Sequence, residues 1–187
     1  DSNLLNSMRY ADFALGRFID SVSQLPLFDS TIFVFVSDHA HWGRAELTAD
    51  PVNFNIPLLF YSPALLGTQA RRMHVTGSQV DVLPTLMSLL GGDYEQESWG
   101  RNLFAIPEND SGFAIISVRN WLEYIEGDHF FSQDVARPGQ LMKMTGWGRA
   151  AEYTVVEDSV MLDRLRRRLH RYTQLADQLS TPGAVAK

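Results

Sequence analysis

Apolar residues recur at steps of three and four from Asn3 to about Gln24, at Leu4, Leu5, Met8, Ala11, Leu15, Phe18, Ile19 and Val22. That spacing predicts one amphipathic helix. Pro26 and Asp29 mark a turn after it. Thr31 to Val36 follows, six β-branched or aromatic residues without a charge. Such a run predicts a strand buried on both faces, as in a parallel sheet covered by helices. Ser37-Asp38-His39 ends it, and Ala40 to Asn55 is polar and irregular, with Gly43 and Pro51. Ile56 to Tyr61 reads as a second buried strand, its proline near the start where a missing N–H does least harm. Met73 to Thr76 reads as a short edge strand. Val80 to Leu90 reads as a helix stopped by Gly91-Gly92, with Pro84 early enough to be tolerated.

After about Glu97 the period shortens. Phe113–Val118, Trp121–Ile125, His129–Ser132 and Ala151–Val156 read as strands, joined by turns such as Glu126-Gly127-Asp128. Their close spacing predicts antiparallel hairpins, because parallel crossovers need longer connections. Trp121, Tyr124, Phe130, Phe131 and Trp147 are the aromatic residues expected in that sheet's core. A last helix is predicted from Ser159 to Leu179. Its apolar stripe is Val160, Leu162, Leu165, Leu169, Tyr172, Leu175 and Leu179, and Arg164, Arg166, Arg167, Arg168 and Arg171 fill other positions. The tail from Ser180 reads as frayed. The fold class is therefore α/β: residues 1–97 form an α/β core portion, and residues 98–187 an antiparallel-sheet subdomain closed by a helix. No Pro/Gly/Ser-rich linker separates them.

Composition narrows the partners. The 187 residues are 45% hydrophobic and 20% charged, with a net charge of -6, ordinary for a globular domain with a core. An acidic chain is a poor phosphate-backbone binder, so no nucleic-acid partner is expected. There is no cysteine, so a metal would need oxygen and nitrogen ligands. No apolar run reaches the roughly 18 residues of a membrane helix, and no signal peptide is visible. The abrupt start at Asp1-Ser2-Asn3 suggests a piece of a longer protein.

Asp38 and His39 are the strongest local chemical signal. A carboxylate and an imidazole stand together where an apolar strand ends, the position at which open α/β sheets collect ligands. An ionised carboxylate there needs a positive partner. A divalent cation provides one, and an Asp oxygen with a His nitrogen suits zinc or manganese. The plainer alternative is a turn-capping Asp38 and a loop His39. His74, beside Arg71 and Arg72, fits a surface edge better than a ligand role. Asp81, after Ser78-Gln79, fits helix capping. The arginines of the last helix fit a solvated face better than a lipid patch. There is no Gly-rich phosphate loop, Ser-centred elbow or Cys–His arrangement.

Four strings stand in order. Asn6 to Phe18 (Asn-Ser-Met-Arg-Tyr-Ala-Asp-Phe-Ala-Leu-Gly-Arg-Phe) precedes the strand ending Ser37-Asp38-His39, followed by Ile56-Pro57-Leu58-Leu59-Phe60-Tyr61-Ser62-Pro63. Ser78-Gln79-Val80-Asp81-Val82-Leu83-Pro84-Thr85-Leu86 then runs on to Leu89-Leu90-Gly91. The set resembles the C-terminal part of a domain of the sulfatase-like branch of the alkaline phosphatase superfamily, most of all lipoteichoic-acid-synthase-like phosphoglycerol transferases. It covers about Asn3 to Gly92 well and the rest loosely.

The resemblance implies that Asp38 and His39 ligate a divalent metal, with Mn2+ first and Zn2+, Ca2+ or Mg2+ as alternatives. It implies an enzyme acting on a phospholipid or on a sulfate or phosphate ester, a phosphoglycerol or phosphoethanolamine transferase or a sulfatase-like hydrolase. It places the parent at the cell membrane, with this domain periplasmic or extracellular. His41, Trp42 and Arg44 would then meet the substrate head group, against the alternative of a solvated loop. The nucleophile and remaining metal ligands would lie upstream, so this stretch would be inactive alone, bind metal weakly and self-associate through its uncovered face. The rivals are a soluble arylsulfatase and a non-catalytic binding module of the same fold.

Overall fold

The computed structural model describes residues 2–40, 47, 49–134, 136–146 and 148–180. They divide into two compact units, one of residues 1–38 and 56–72, the other of residues 39–55 and 73–187.

In the first unit helix α1 (Ser2–Val22) carries the expected amphipathic pattern. Strand β1 (Phe33–Val36) pairs with β2 (Leu58–Tyr61), and a short helix α2 (Pro63–Leu66) follows. Aromatic rings join these elements. Phe18 of α1 meets Phe33 of β1 edge to face at 5.9 Å, and Phe28 lies 5.8 Å from Phe33. The expectation of parallel, doubly buried strands is corrected here. β1 and β2 are antiparallel, with Phe33 opposite Tyr61 and Val36 opposite Leu58. Both are half-buried, and Val36 and Leu59 are exposed. An apolar β-branched run reports the capacity for burial; pairing decides strand direction. On α1, Leu5, Met8, Tyr10 and Phe13 are exposed as well.

In the second unit a 3₁₀ turn, Gln79–Asp81, leads into helix α3 (Val82–Leu90). A five-stranded antiparallel meander follows: β3 (Ala114–Val118), β4 (Trp121–Glu126), β5 (His129–Asp134), β6 (Gln140–Thr145) and β7 (Glu152–Val155), in that spatial order. The hairpins predicted from spacing are present. β6 was not anticipated, because Gln-Leu-Met-Lys-Met-Thr is weak in β-formers and owes its conformation to flanking strands β5 and β7. The edge strand expected at Met73–Thr76 reduces to one bridge, Thr76 to Gly112.

Helix α4 (Ser159–Ser180) covers one face of this sheet. Asp158 caps it by accepting the Met161 N–H at 2.9 Å. Its Leu165 and Leu169, both fully buried, pack with Tyr124, Phe131 and Leu141. Burying each such side chain is worth about 1.5–3 kcal/mol. Arg164 and Arg168 both bind Glu126, Arg164 at 2.5 Å. The opposite face packs Phe130, Met144 and Ala151 against Leu47 and Val52. Tyr124, Phe130 and Phe131 are thus core residues as expected, Trp121 is half-buried, and Trp147 lies outside the described residues.

Candidate functional site

Ser37 and Asp38 follow directly on the last residue of β1, so strand pairing fixes the backbone up to the candidate ligands. Asp38 and His39 are both exposed. The division between the two units falls between them. The His39 ring has a defined setting: its Nδ1 lies 2.9 Å from the Ala40 carbonyl oxygen. A carbonyl can only accept, so in the neutral ring Nδ1 carries the proton and Nε2 the lone pair that a metal would take. A carboxylate and an imidazole nitrogen are donor types that a borderline divalent cation accepts. Among the described residues no group of three His, Cys, Asp or Glu is placed to hold a metal. His41, Trp42 and Arg44 lie outside the described residues. His74 is exposed and precedes the Thr76 bridge.

Asp81 is a structural hub. It is 1% exposed. Its Oδ2 accepts the Ser78 N–H at 2.8 Å, the helix-start contact read from the sequence. Its carboxylate also accepts from the backbone N–H of Arg101 at 2.6 Å and from Arg101 Nη2 at 2.8 Å. Arg101 Nη2 donates in addition to the Phe113 carbonyl, and the guanidinium lies 3.6 Å from the Phe113 ring centroid. The buried charge is thus paired and fully engaged, a packing role.

Glu123 carries no local motif in the sequence. Register explains its setting. Trp121, Glu123 and Ile125 alternate onto the β4 face opposite Tyr124, and Glu123 stands across from Ser132, which stands across from Gln140. This polar row borders a cavity of about 340 Å³ that Trp121, Asp134 and Met142 also line. Glu123 is 1% exposed. Its Oε1 accepts the Ser132 hydroxyl at 2.7 Å, and its Oε2 has no hydrogen-bond partner among the described residues. Burial pushes its pKa from 4.5 to about 8; the Ser132 bond opposes the rise and the Asp50 charge adds to it. The available signal was the period-2 pattern, which puts an acid among core-facing residues of β4.

Comparison with known proteins agrees with this fold. Residues 1–92 match the sulfatase family model. An arylsulfatase of Clostridium perfringens is 28% identical over 141 residues, 68% of this chain and 27% of that protein. A lipoteichoic acid synthase-like protein of Bacillus subtilis is 32% identical over 136 residues, 59% of this chain and 22% of the relative. The chain thus spans about a quarter of the length of these relatives. A crystal structure of an alkaline phosphatase superfamily protein from Vibrio parahaemolyticus superposes with a TM-score of 0.70 at 23% identity, over 90% of this chain and 40% of that one. The four ordered strings and these matches converge on one stretch: residues 1–92 of this chain carry a sulfatase family-model domain.

Proposed function

We propose that this chain is part of a metal-dependent enzyme acting on phosphate or sulfate esters, and that Asp38 and His39 ligate its divalent cation. The observation that carries the reading is the Asp-His pair one residue past the end of β1, inside the stretch that matches the sulfatase family. His39 is oriented by its Nδ1–H bond to the Ala40 carbonyl, which turns Nε2 into the ligand atom. Manganese is the first choice, with zinc, calcium and magnesium as alternatives. Such an ion, when bound, offsets charge on a phosphoryl or sulfuryl oxygen and acidifies a nucleophilic hydroxyl. Arg44, with His41 and Trp42, supplies the head-group contacts, the guanidinium as a planar fork.

The substrate class is a phospholipid or a sulfate or phosphate ester, and the reaction is phosphoglycerol or phosphoethanolamine transfer. Residues 1–97 are the core portion of the domain and 98–187 its subdomain. The parent works at the cell membrane with this domain outside; no helix among the described residues is long and apolar enough to cross a membrane. Two ligands make a weak site, so the nucleophile and other ligands come from elsewhere in the parent. The 28% match to an arylsulfatase supports a second reading, sulfate-ester hydrolysis.

The test is made in the longer protein. Asp38→Ala and His39→Ala should each lose bound metal by mass spectrometry and lose turnover, while circular dichroism stays unchanged. Full metal content in both folded variants overturns the assignment. Turnover of a phosphoglycerol lipid against an aryl sulfate separates the two reactions.

A further inference from the structure

Helix α4 contributes more than packing. A cavity of about 340 Å³ beside it is lined by Arg101, Arg168, Arg171, Tyr124 and Tyr172, with Asp110 as the one acid among its lining residues. We infer that this cavity binds one tetrahedral oxyanion, the phosphate or sulfate group of an ester or of an anionic polymer.

Arg101 is held by Asp81 through Nε and Nη2, and by the Phe113 carbonyl through Nη2, so its guanidinium plane is set before any ligand arrives. Those bonds leave its Nη1 protons over. Arg168 uses Nη1 on Glu126, and that carboxylate is already shared with Arg164. One acid thus serves two arginines, which leaves positive charge in excess. Arg171 has no ion-pair partner among the described residues. The opposing acid, Asp110, is engaged through Oδ1 by the Gly112 N–H at 2.8 Å.

Tyr172 is pinned by its ring, stacked on Trp99 at 6.3 Å and edge-on to Phe113 at 4.9 Å. It brings a phenol to the cavity wall without mobile side-chain entropy. Arginine forks and phenols set in place are the donor types that oxyanions select. This excess of positive charge is local, on a chain whose net charge is -6, so it is not general polyanion affinity. Two of the three guanidiniums are held in place by carboxylates at the cavity, more than a solvated face requires, and the exposed Arg171 can close on a ligand. The inference needs no metal, so failure of the Asp38 and His39 assignment leaves it standing.

The purified chain is titrated by NMR, without divalent metal, with sodium phosphate against sodium chloride at matched ionic strength. Arginine side-chain resonances are followed. Phosphate should give saturable shifts at Arg101, Arg168 and Arg171 that chloride does not reproduce. Arg171→Ala should weaken the titration about ten-fold, and Arg171→Lys should restore only part. Arg166→Ala, on the same helix but paired with Asp163, should leave it unchanged. Equal shifts with chloride, or equal losses in the Arg171 and Arg166 variants, overturn the site as charge screening. A second arm uses poly(glycerol phosphate). Tighter binding per phosphate that Arg171→Ala abolishes assigns a polymer-borne group; equal binding assigns the free ion, and both support an oxyanion site. Polymer binding indifferent to Arg171→Ala overturns the polymer assignment.

Discussion

Glu123 makes stability fall as pH rises, and Glu123→Gln should remove that dependence. Its pKa rises on folding from 4.5 to about 8, chiefly through burial. Below pH 4.5 the carboxyl is protonated in both states and contributes no difference. Between 4.5 and about 8 the unfolded chain releases the proton while the folded one retains it, so each step up in pH favours unfolding. That window spans about three and a half pH units, each worth about 1.4 kcal/mol, for a total near 5 kcal/mol. At pH 7 roughly 3 kcal/mol of it is already lost. Such a figure is a large part of the ~5–15 kcal/mol that holds a domain together.

Glutamine has nearly the same shape, can still accept the Ser132 hydroxyl, and does not ionise. The cost of burying its amide is independent of pH. Asp50, Asp134 and Arg137 are the other charged groups around Glu123 or its cavity and are common to both proteins. The assay is urea unfolding of the two proteins from pH 4.5 to 8.5, followed by tryptophan fluorescence. Trp99 and Trp121 both belong to the unit that holds Glu123, so their signal reports that unit. The stability difference between variant and parent should move in favour of glutamine by about 3–5 kcal/mol across the range. A difference that stays flat with pH refutes the buried-acid reasoning.

Asp81→Ala should cost about 3–5 kcal/mol in the same unfolding assay, because Arg101 would lose its buried counter-charge; a loss under 1 kcal/mol contradicts the hub. Leu169→Ala, at a fully buried position of α4, should cost about 2–5 kcal/mol with an unchanged denaturant slope. The isolated chain should bind manganese weakly, and a tight calorimetric isotherm would contradict a site of two ligands. It should also self-associate through α1, where Leu5, Met8, Tyr10 and Phe13 are exposed. Light scattering should show mass above monomer that falls in a Leu5→Gln, Phe13→Ser variant, and a strict monomer at high concentration speaks against it.

Local patterns carried much of this protein. Three- and four-residue periodicity placed α1 and α4 close to their observed limits, because a helix face repeats within one stretch of chain. The meander was legible in its turns, with Gly127 at φ 62 closing the β4–β5 hairpin. Asp81 was readable as a cap because the Ser78 contact is three residues away. Asp38 and His39 stood out because they are neighbours in the chain after an apolar run. Three features needed the assembled structure. The antiparallel sense of β1 and β2 depends on pairing across a long connection. β6 depends on the strands at its sides rather than on its own residues. The polar row of Glu123, Ser132 and Gln140 depends on register, which sets three distant residues abreast. The same holds for Arg101, Arg168 and Arg171: sequence supplies three charges, but only packing gathers them around one cavity. Periodicity is a property of a segment, whereas pairing, burial and electrostatic environment belong to segments that meet only after folding.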